Sequence, residues 1–213
     1  MVIFDWDGTL CDSVEHIVHA MQGAARELGE TAPEAPAIRD IVGLGLPQAV
    51  SILFPQVTGS AHDELARAYS RHYIAGEDNP PELFAGAMDT LEELRARGLQ
   101  LAIATGKSRR GLERILSSLG LEDFFDNTRC ADETSSKPDP KMLLELMADA
   151  DKLPEQVVMV GDTEYDLAMA SNAGVASVGV TFGVHTPERL ATHAPVALID
   201  SLPELLTLEV FKS

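Results

Sequence analysis

Val2-Ile3-Phe4-Asp5-Trp6-Asp7-Gly8-Thr9-Leu10 sets three apolar residues before two acids, one residue apart, and then a glycine. A short apolar run bounded by polar residues reads as a strand buried on both faces, here residues 2–4, ending at Asp5. Residues two apart along extended backbone share a face, so the Asp5 and Asp7 carboxyls look to one side while Trp6 turns to the other, into packing. Gly8 lets the chain turn sharply after the acids. Only four residues precede Asp5, which gives the strand about 13 Å at about 3.3 Å per residue. Central strands ordinarily run longer, and the natural product is expected to start a few residues upstream of Met1 or this chain to be trimmed.

Moving outward, the apolar residues Val14, Ile17, Val18, Met21, Ala25 and Leu28 recur at spacings of three and four, which predicts a helix over 14–28. From Gly29 to about Asn79 prolines punctuate the chain, with short helical pieces predicted over 47–54 and 61–75 and no strand. Beyond Pro80-Pro81, helices and apolar strands alternate. Helices are predicted over 87–97, 109–119, 140–150 and 164–173, and strands over 99–104, 157–160 and 176–180, with a last strand at 197–199 and a helix over 203–210. Such alternation implies an α/β fold, a doubly wound parallel sheet with a Rossmann-like core covered on both faces. The first strand belongs to that sheet, so residues 1–13 and 81–213 form an α/β core and residues 14–80 an inserted all-helical cap.

The 213 residues carry 16 Lys plus Arg against 34 Asp plus Glu, a net charge of −18. That sign disfavours nucleic acid and anionic lipid as partners, since affinity for either comes from neutralising negative charge. No apolar run reaches the roughly 18 residues of a spanning helix, and no basic-then-apolar leader is present, so a soluble cytoplasmic protein is expected. Cys11 and Cys130 read as free thiols. An acidic protein that handles an anionic ligand needs local cations.

In an open parallel sheet, ligands bind outside the carboxyl ends of the strands, where the strand order reverses. Four polar signatures fall at such positions: Asp5 and Asp7, then Thr105-Gly106 after LQLAIA, Lys137 in Lys137-Pro138-Asp139-Pro140, and Gly161-Asp162 after VVMV. Each alone is an ordinary cap or turn. Together and in this order, Asp5-Trp6-Asp7-Gly8-Thr9-Leu10, Ala104-Thr105-Gly106-Lys107, Lys137-Pro138-Asp139-Pro140 and Gly161-Asp162-Thr163-Glu164-Tyr165-Asp166 resemble the motifs of the haloacid dehalogenase superfamily, phosphatase branch. The helical insertion after the first motif is similar to that family's cap, and among relatives the wording is most similar to phosphoglycolate phosphatases.

The resemblance implies a phosphoric monoester hydrolase acting on a small phosphorylated metabolite, phosphoglycolate first, through an aspartyl phosphate on Asp5. Asp7 would serve as acid and then base, and Mg2+ would be held by the Asp5 carboxylate, the Asp7 carbonyl and Asp162. Thr105, Gly106 and Lys137 would bind the phosphoryl oxygens, with Asp166 orienting metal-bound water or Lys137. Slow phosphomonoester hydrolysis favours such a covalent route, and a hard cation answers the repulsion between carboxylate and phosphate. A phosphosugar mutase, a pyrophosphatase or a nucleotidase would use the same core, and a non-catalytic phosphate-binding regulator is the alternative from another class. A dehalogenase is disfavoured, because an acid at position 7 suits a poor alkoxide leaving group. Monomer and homodimer stay equally open.

Lys107, Arg109 and Arg110 crowd the start of a predicted helix, where the macrodipole disfavours cations. At least one is expected to draw the anionic substrate; the alternative is a solvated face paired with acids such as Glu113. The segment 43–47 reads as a turn between cap helices, and the resemblance implies that it is a specificity segment, with Asn79-Pro80-Pro81 as one hinge of the cap. His16 and His19 read as surface residues, and His185 has only a slight claim on the site.

Overall fold

The structure, a computed structural model, describes residues 1–76 and 81–211. Six parallel strands form one sheet: β1 (Val2–Phe4), β2 (Leu101–Thr105), β3 (Asn127–Cys130), β4 (Val158–Gly161), β5 (Ala176–Val180) and β6 (Ala197–Ile199). Their spatial order is β3-β2-β1-β4-β5-β6, the doubly wound order whose switch point lies at β1 and β4. The expected α/β fold is therefore present. Asp5 stands at that switch point, its amide donating to the Val160 carbonyl at 2.9 Å.

Alternation along the strands divides the core. Val2, Phe4, Ile103 and Val160 face one side, where α5 (Ala87–Ala96) and α6 (Arg109–Leu119) cover them with Leu91, Leu94, Leu112 and Leu116. Ile3, Ala102, Ala104 and Met159 face the other, under α7 (Lys141–Asp149) and α8 (Glu164–Asn172). Each large side chain so buried contributes ~1.5–3 kcal/mol. Trp6 is fully buried on the α5 side, edge-on to Phe125.

Between β1 and α5, the described residues carry α1 (Val14–Glu27), α2 (Ala35–Arg39), α3 (Leu46–Leu53) and α4 (Ser60–Ala75). These helices share an apolar cluster of their own, with Ile17 and Met21 of α1, Ile38, Val50, Phe54 and Leu65. Asn79 and Pro80 of the predicted hinge lie outside the described residues.

Four elements depart from expectation. β3 is an edge strand whose sequence, Asn-Thr-Arg-Cys, shows no apolar pattern because only Cys130 is buried. The short helices α2 and α9 (Pro187–Ala191) hide behind Pro36 and Pro187, which stand in their first turns, where proline is tolerated. The helix predicted over 203–210 is instead a pair of 3-10 segments, Leu202–Thr207 and Glu209–Phe211, interrupted where Leu208 is extended.

Candidate active site

The carboxyl ends of β1 and β4 bring Asp5 and Asp162 together, and both are buried. Gly8 makes this approach possible: its φ of +82° is left-handed, and a Cβ there would stand 2.3 Å from Asp162 Oδ2. Thr9 Oγ1 donates to Asp162 Oδ1 at 2.8 Å, and the Val184 amide donates to Oδ2 at 2.9 Å. Asp166 lies one turn into α8. Its Oδ2 accepts from the Thr163 amide and hydroxyl at 3.1 and 2.7 Å, closing a capping box at the helix start.

Lys137 reaches this group from the loop before α7 and is fully buried. Its Nζ donates to Asp5 Oδ1 and to Asp166 Oδ1, each at 2.6 Å. Burial opposes its charge, but Asp166 and Asp5 outweigh that and hold the ammonium above its ordinary range. Burial raises the Asp5 carboxyl well above its usual range, with Lys137 opposing, and burial together with Asp166 raises Asp162 to about 7. Three carboxylates against one ammonium leave the cluster short of positive charge.

A cation fits this deficit. Ligand atoms of Asp5, Asp162 and Asp166 lie within 4.8 Å of one another, and Asp5 Oδ2 is buried with no hydrogen-bond partner. An orphaned buried carboxylate oxygen among all-oxygen donors suits a hard divalent ion. Both Asp166 oxygens are already engaged, Oδ1 by Lys137 and Oδ2 by Thr163.

Asp7 has partners of its own, separate from those of Lys137. Its Oδ1 accepts from the Ser13 hydroxyl and lies 2.9 Å from Lys107 Nζ. Ser13 occupies the N-cap position of α1 but gives no side-chain cap; its hydroxyl is committed to Asp7 instead. Lys107 also donates to the Tyr73 hydroxyl of α4 at 3.1 Å. Burial works against the Lys107 charge, yet Asp7 and the Tyr73 and Tyr69 hydroxyls hold its pKa well above the ordinary value.

The three clustered cations thus part company. Lys107 turns inward; Arg109 turns away, holding Glu133 at 2.9 and 2.7 Å and Thr128 Oγ1 at 2.7 Å, so its acid is Glu133 rather than Glu113. Arg110 faces a cavity of about 640 Å³ between the cap helices and the core, with Asp7 in its wall.

Thr105 is buried at the end of β2, its Oγ1 accepting from the Lys107 amide at 3.2 Å. Gly106 lies directly beneath the cap turn that precedes α3, where a Cβ would come within 2.6 Å of the Gly43 and Leu44 carbonyl oxygens. The Gly45 amide donates to Ser136 Oγ at 2.8 Å, fastening the same turn beside Lys137.

Ser13, Tyr73 and Val184 are additions that the sequence did not single out, and His185, given only a slight claim there, is found at the site. Ser13 had a local signal, three residues past Leu10 at the start of a helix. Tyr73 had none, since it reaches Lys107 only through the folding of α4 over the core. His185 is buried; its Nδ1 accepts from the Glu164 amide at 2.9 Å and its own amide donates to the Asp162 carbonyl at 3.2 Å, so it pins the loop after β5 against the site.

Acids at adjacent parallel strand ends, a buried lysine between two of them and a helical lid define a capped α/β enzyme. The haloacid dehalogenase-like hydrolase model matches residues 2–180, and the chain belongs to that family. It is 36% identical to the probable phosphatase IndB of Dickeya dadantii, over 97% of this chain and 91% of that protein. It is 31% identical to a phosphoglycolate phosphatase of Vibrio vulnificus, over 97% and 94%. Among solved structures, a putative haloacid dehalogenase-like hydrolase from Bacteroides fragilis superposes with a TM-score of 0.89 at 28% identity, covering 96% of this chain and 98% of that one. The expected kinship with phosphoglycolate phosphatase-like hydrolases is borne out, and none of the described helices is long and apolar enough to cross a membrane.

Proposed function

We propose that the protein is a Mg2+-dependent phosphatase that hydrolyses a small phosphorylated metabolite through an aspartyl phosphate on Asp5. The observation that carries this reading is the state of the Asp5 carboxylate: Oδ1 is held by Lys137 and Oδ2 has no protein partner. A carboxylate fixed at one oxygen and open at the other is oriented for attack.

Asp5 Oδ attacks phosphorus as the bond from phosphorus to the leaving oxygen breaks, and Asp7 gives that oxygen its proton. Asp7 then takes a proton from water as the water oxygen attacks phosphorus, releasing phosphate and restoring the Asp5 carboxylate. Ser13 and Lys107 fix the position of the Asp7 carboxyl, which supports this role. Thr105, the Gly106 amide and Lys137 offer donors to the phosphoryl oxygens, a preorganised electrostatic arrangement. Asp5 and Asp162, with the Asp7 carbonyl, would hold Mg2+, which when bound supplies positive charge to the phosphoryl oxygens and the nucleophile.

Phosphate release from p-nitrophenyl phosphate, with Mg2+ and with chelator, tests the reading. Activity lost in Asp5→Asn and on chelation is the expected result. Activity that survives either treatment overturns it.

A further inference from the structure

The cavity beside Asp7 is far larger than a glycolate group requires. Its volume, about 640 Å³, falls in the range of sites that enclose drug-sized ligands. Glycolate, by contrast, has only a handful of non-hydrogen atoms. Much of the wall is apolar, with Met21, Leu44, Leu46, Ala49 and the Tyr69 ring. Such walls gain nothing from a small, fully polar leaving group, and would leave it surrounded by water or by unmatched apolar surface.

Charge around the same cavity is the reverse of the chain's. The protein has a net charge of −18, yet Arg67 and Arg71 of α4, Arg110 and Arg114 of α6, and Lys107 line the cavity, and Asp7 is the one acid among the described lining residues. Lys107 is committed to Asp7, and Arg71 to Glu27. Arg67 and Arg110 make no ion pair or hydrogen bond among the described residues, and they come from opposite walls, one cap and one core. Arg67 lies six residues before Tyr73, the residue that touches Lys107, which is about 9 Å along the helix axis. That offset sets the Arg67 backbone more than one turn of α4 away from the contact with Lys107, while Lys137 and the donors beside it serve the phosphoryl group.

Building on the phosphatase reading above, we infer that the substrate is a phosphomonoester whose leaving group is a mainly apolar body of aromatic size, carrying a second anionic group at the end remote from the phosphate. The body fills the space between α1, α3 and α4, and the remote anion pairs with Arg67 and Arg110. Guanidinium groups suit a carboxylate or phosphate by their planar fork.

The full chain with Mg2+ is assayed on phosphoglycolate, 2-naphthyl phosphate and a 2-naphthyl phosphate bearing a carboxylate on the far ring. The expected kcat/KM for the carboxylated naphthyl ester is about 100-fold above that for phosphoglycolate and about tenfold above that for the plain naphthyl ester. In Arg67→Ala/Arg110→Ala, both sites being exposed, the preference for the carboxylated ester over the plain one should fall to about twofold or less. Phosphoglycolate turned over as well as or better than the carboxylated ester overturns the inference and leaves the phosphatase reading standing. So does a carboxylate preference that the double variant leaves intact. Phosphate release that is absent with all three esters, or that persists in Asp5→Asn, overturns the phosphatase reading and this inference with it.

Discussion

Lys107 Nζ and Asp7 Oδ1 lie 2.9 Å apart, and both side chains are about nine-tenths shielded from water. Removing one partner of a buried pair leaves an uncompensated charge and costs ~3–5 kcal/mol. Lys107→Met is expected to lower Tm and to reduce kcat by about 10–100-fold, the scale of a general acid that is present but badly held. Asp7→Asn in the same chain should restore most of the Tm and none of the activity. Thermal melts and steady-state rates on the four members of this cycle check it, and independent, additive losses would refute the pairing.

The carboxylate cluster gives a pH dependence of definite sign. Asp162 is raised to about 7 from an ordinary 3.8, so the folded chain binds more protons than the unfolded one between those values. The associated stability is present below about pH 4 and lost as pH rises through about 7. In chelator-treated protein, Tm relative to Asp162→Asn should therefore decline between about pH 4 and 7, and added Mg2+ should raise Tm more at pH 8 than at pH 5. Equal Mg2+ stabilisation at both pH values would contradict it.

Lys137 is enclosed by Asp5 and Asp166 with no exposure to solvent. Lys137→Met should abolish detectable turnover and cost ~3–5 kcal/mol of stability. Asp166→Asn, which keeps a hydrogen-bond acceptor for Lys137, should lower kcat by about 10–100-fold while leaving most of that stability in place. Denaturant unfolding of the two variants distinguishes these outcomes; equal stability losses would show that Asp166 matters as a charge and not as an orienting group.

Gly106→Ala would set a Cβ against the Gly43 and Leu44 carbonyls. The clash is relieved most easily by moving the cap turn, so kcat/KM on p-nitrophenyl phosphate should fall by about 100-fold while the melting transition stays cooperative. Rates equal to those of the parent protein would mean that the turn yields freely.

Cys11 and Cys130 are buried, and burial pushes both thiols up to about 12. Thiolate is the reactive form, so iodoacetamide at about pH 8 should leave the native protein unmodified and label both cysteines in denaturant. Mass spectrometry reads the result, and rapid native labelling of either thiol would contradict the packing around it.

Much of this arrangement was legible in the sequence because a doubly wound sheet places chemistry at predictable points. Asp5, Thr105 and Asp162 each terminate or follow an apolar run, so finding the strands also found the residues. Lys137 and Asp166 were legible from their motifs, although the contact between them depends on where the loop before α7 meets α8. What stayed hidden was set by tertiary structure. β3 escaped because an edge strand with one buried residue carries no period. The inward turn of Lys107 escaped because neighbouring Arg109 and Arg110 look chemically alike in one dimension, and only the fold gives the first an acid in the site, the second Glu133 and the third a cavity. His185 reaches Asp162 through a loop whose path no local pattern dictates.

Asp5 and Asp162 stand at the ends of hydrogen-bonded neighbours, β1 and β4, with Phe4 in register with Val160. Their separation is thus measured off by the spacing of the sheet, about 4.8 Å from strand to strand, and not by the conformation of a loop. The sheet acts as a ruler. On the proposed phosphatase reading, changes in α1 to α4 would alter which leaving group is admitted while the two carboxylates keep their distance.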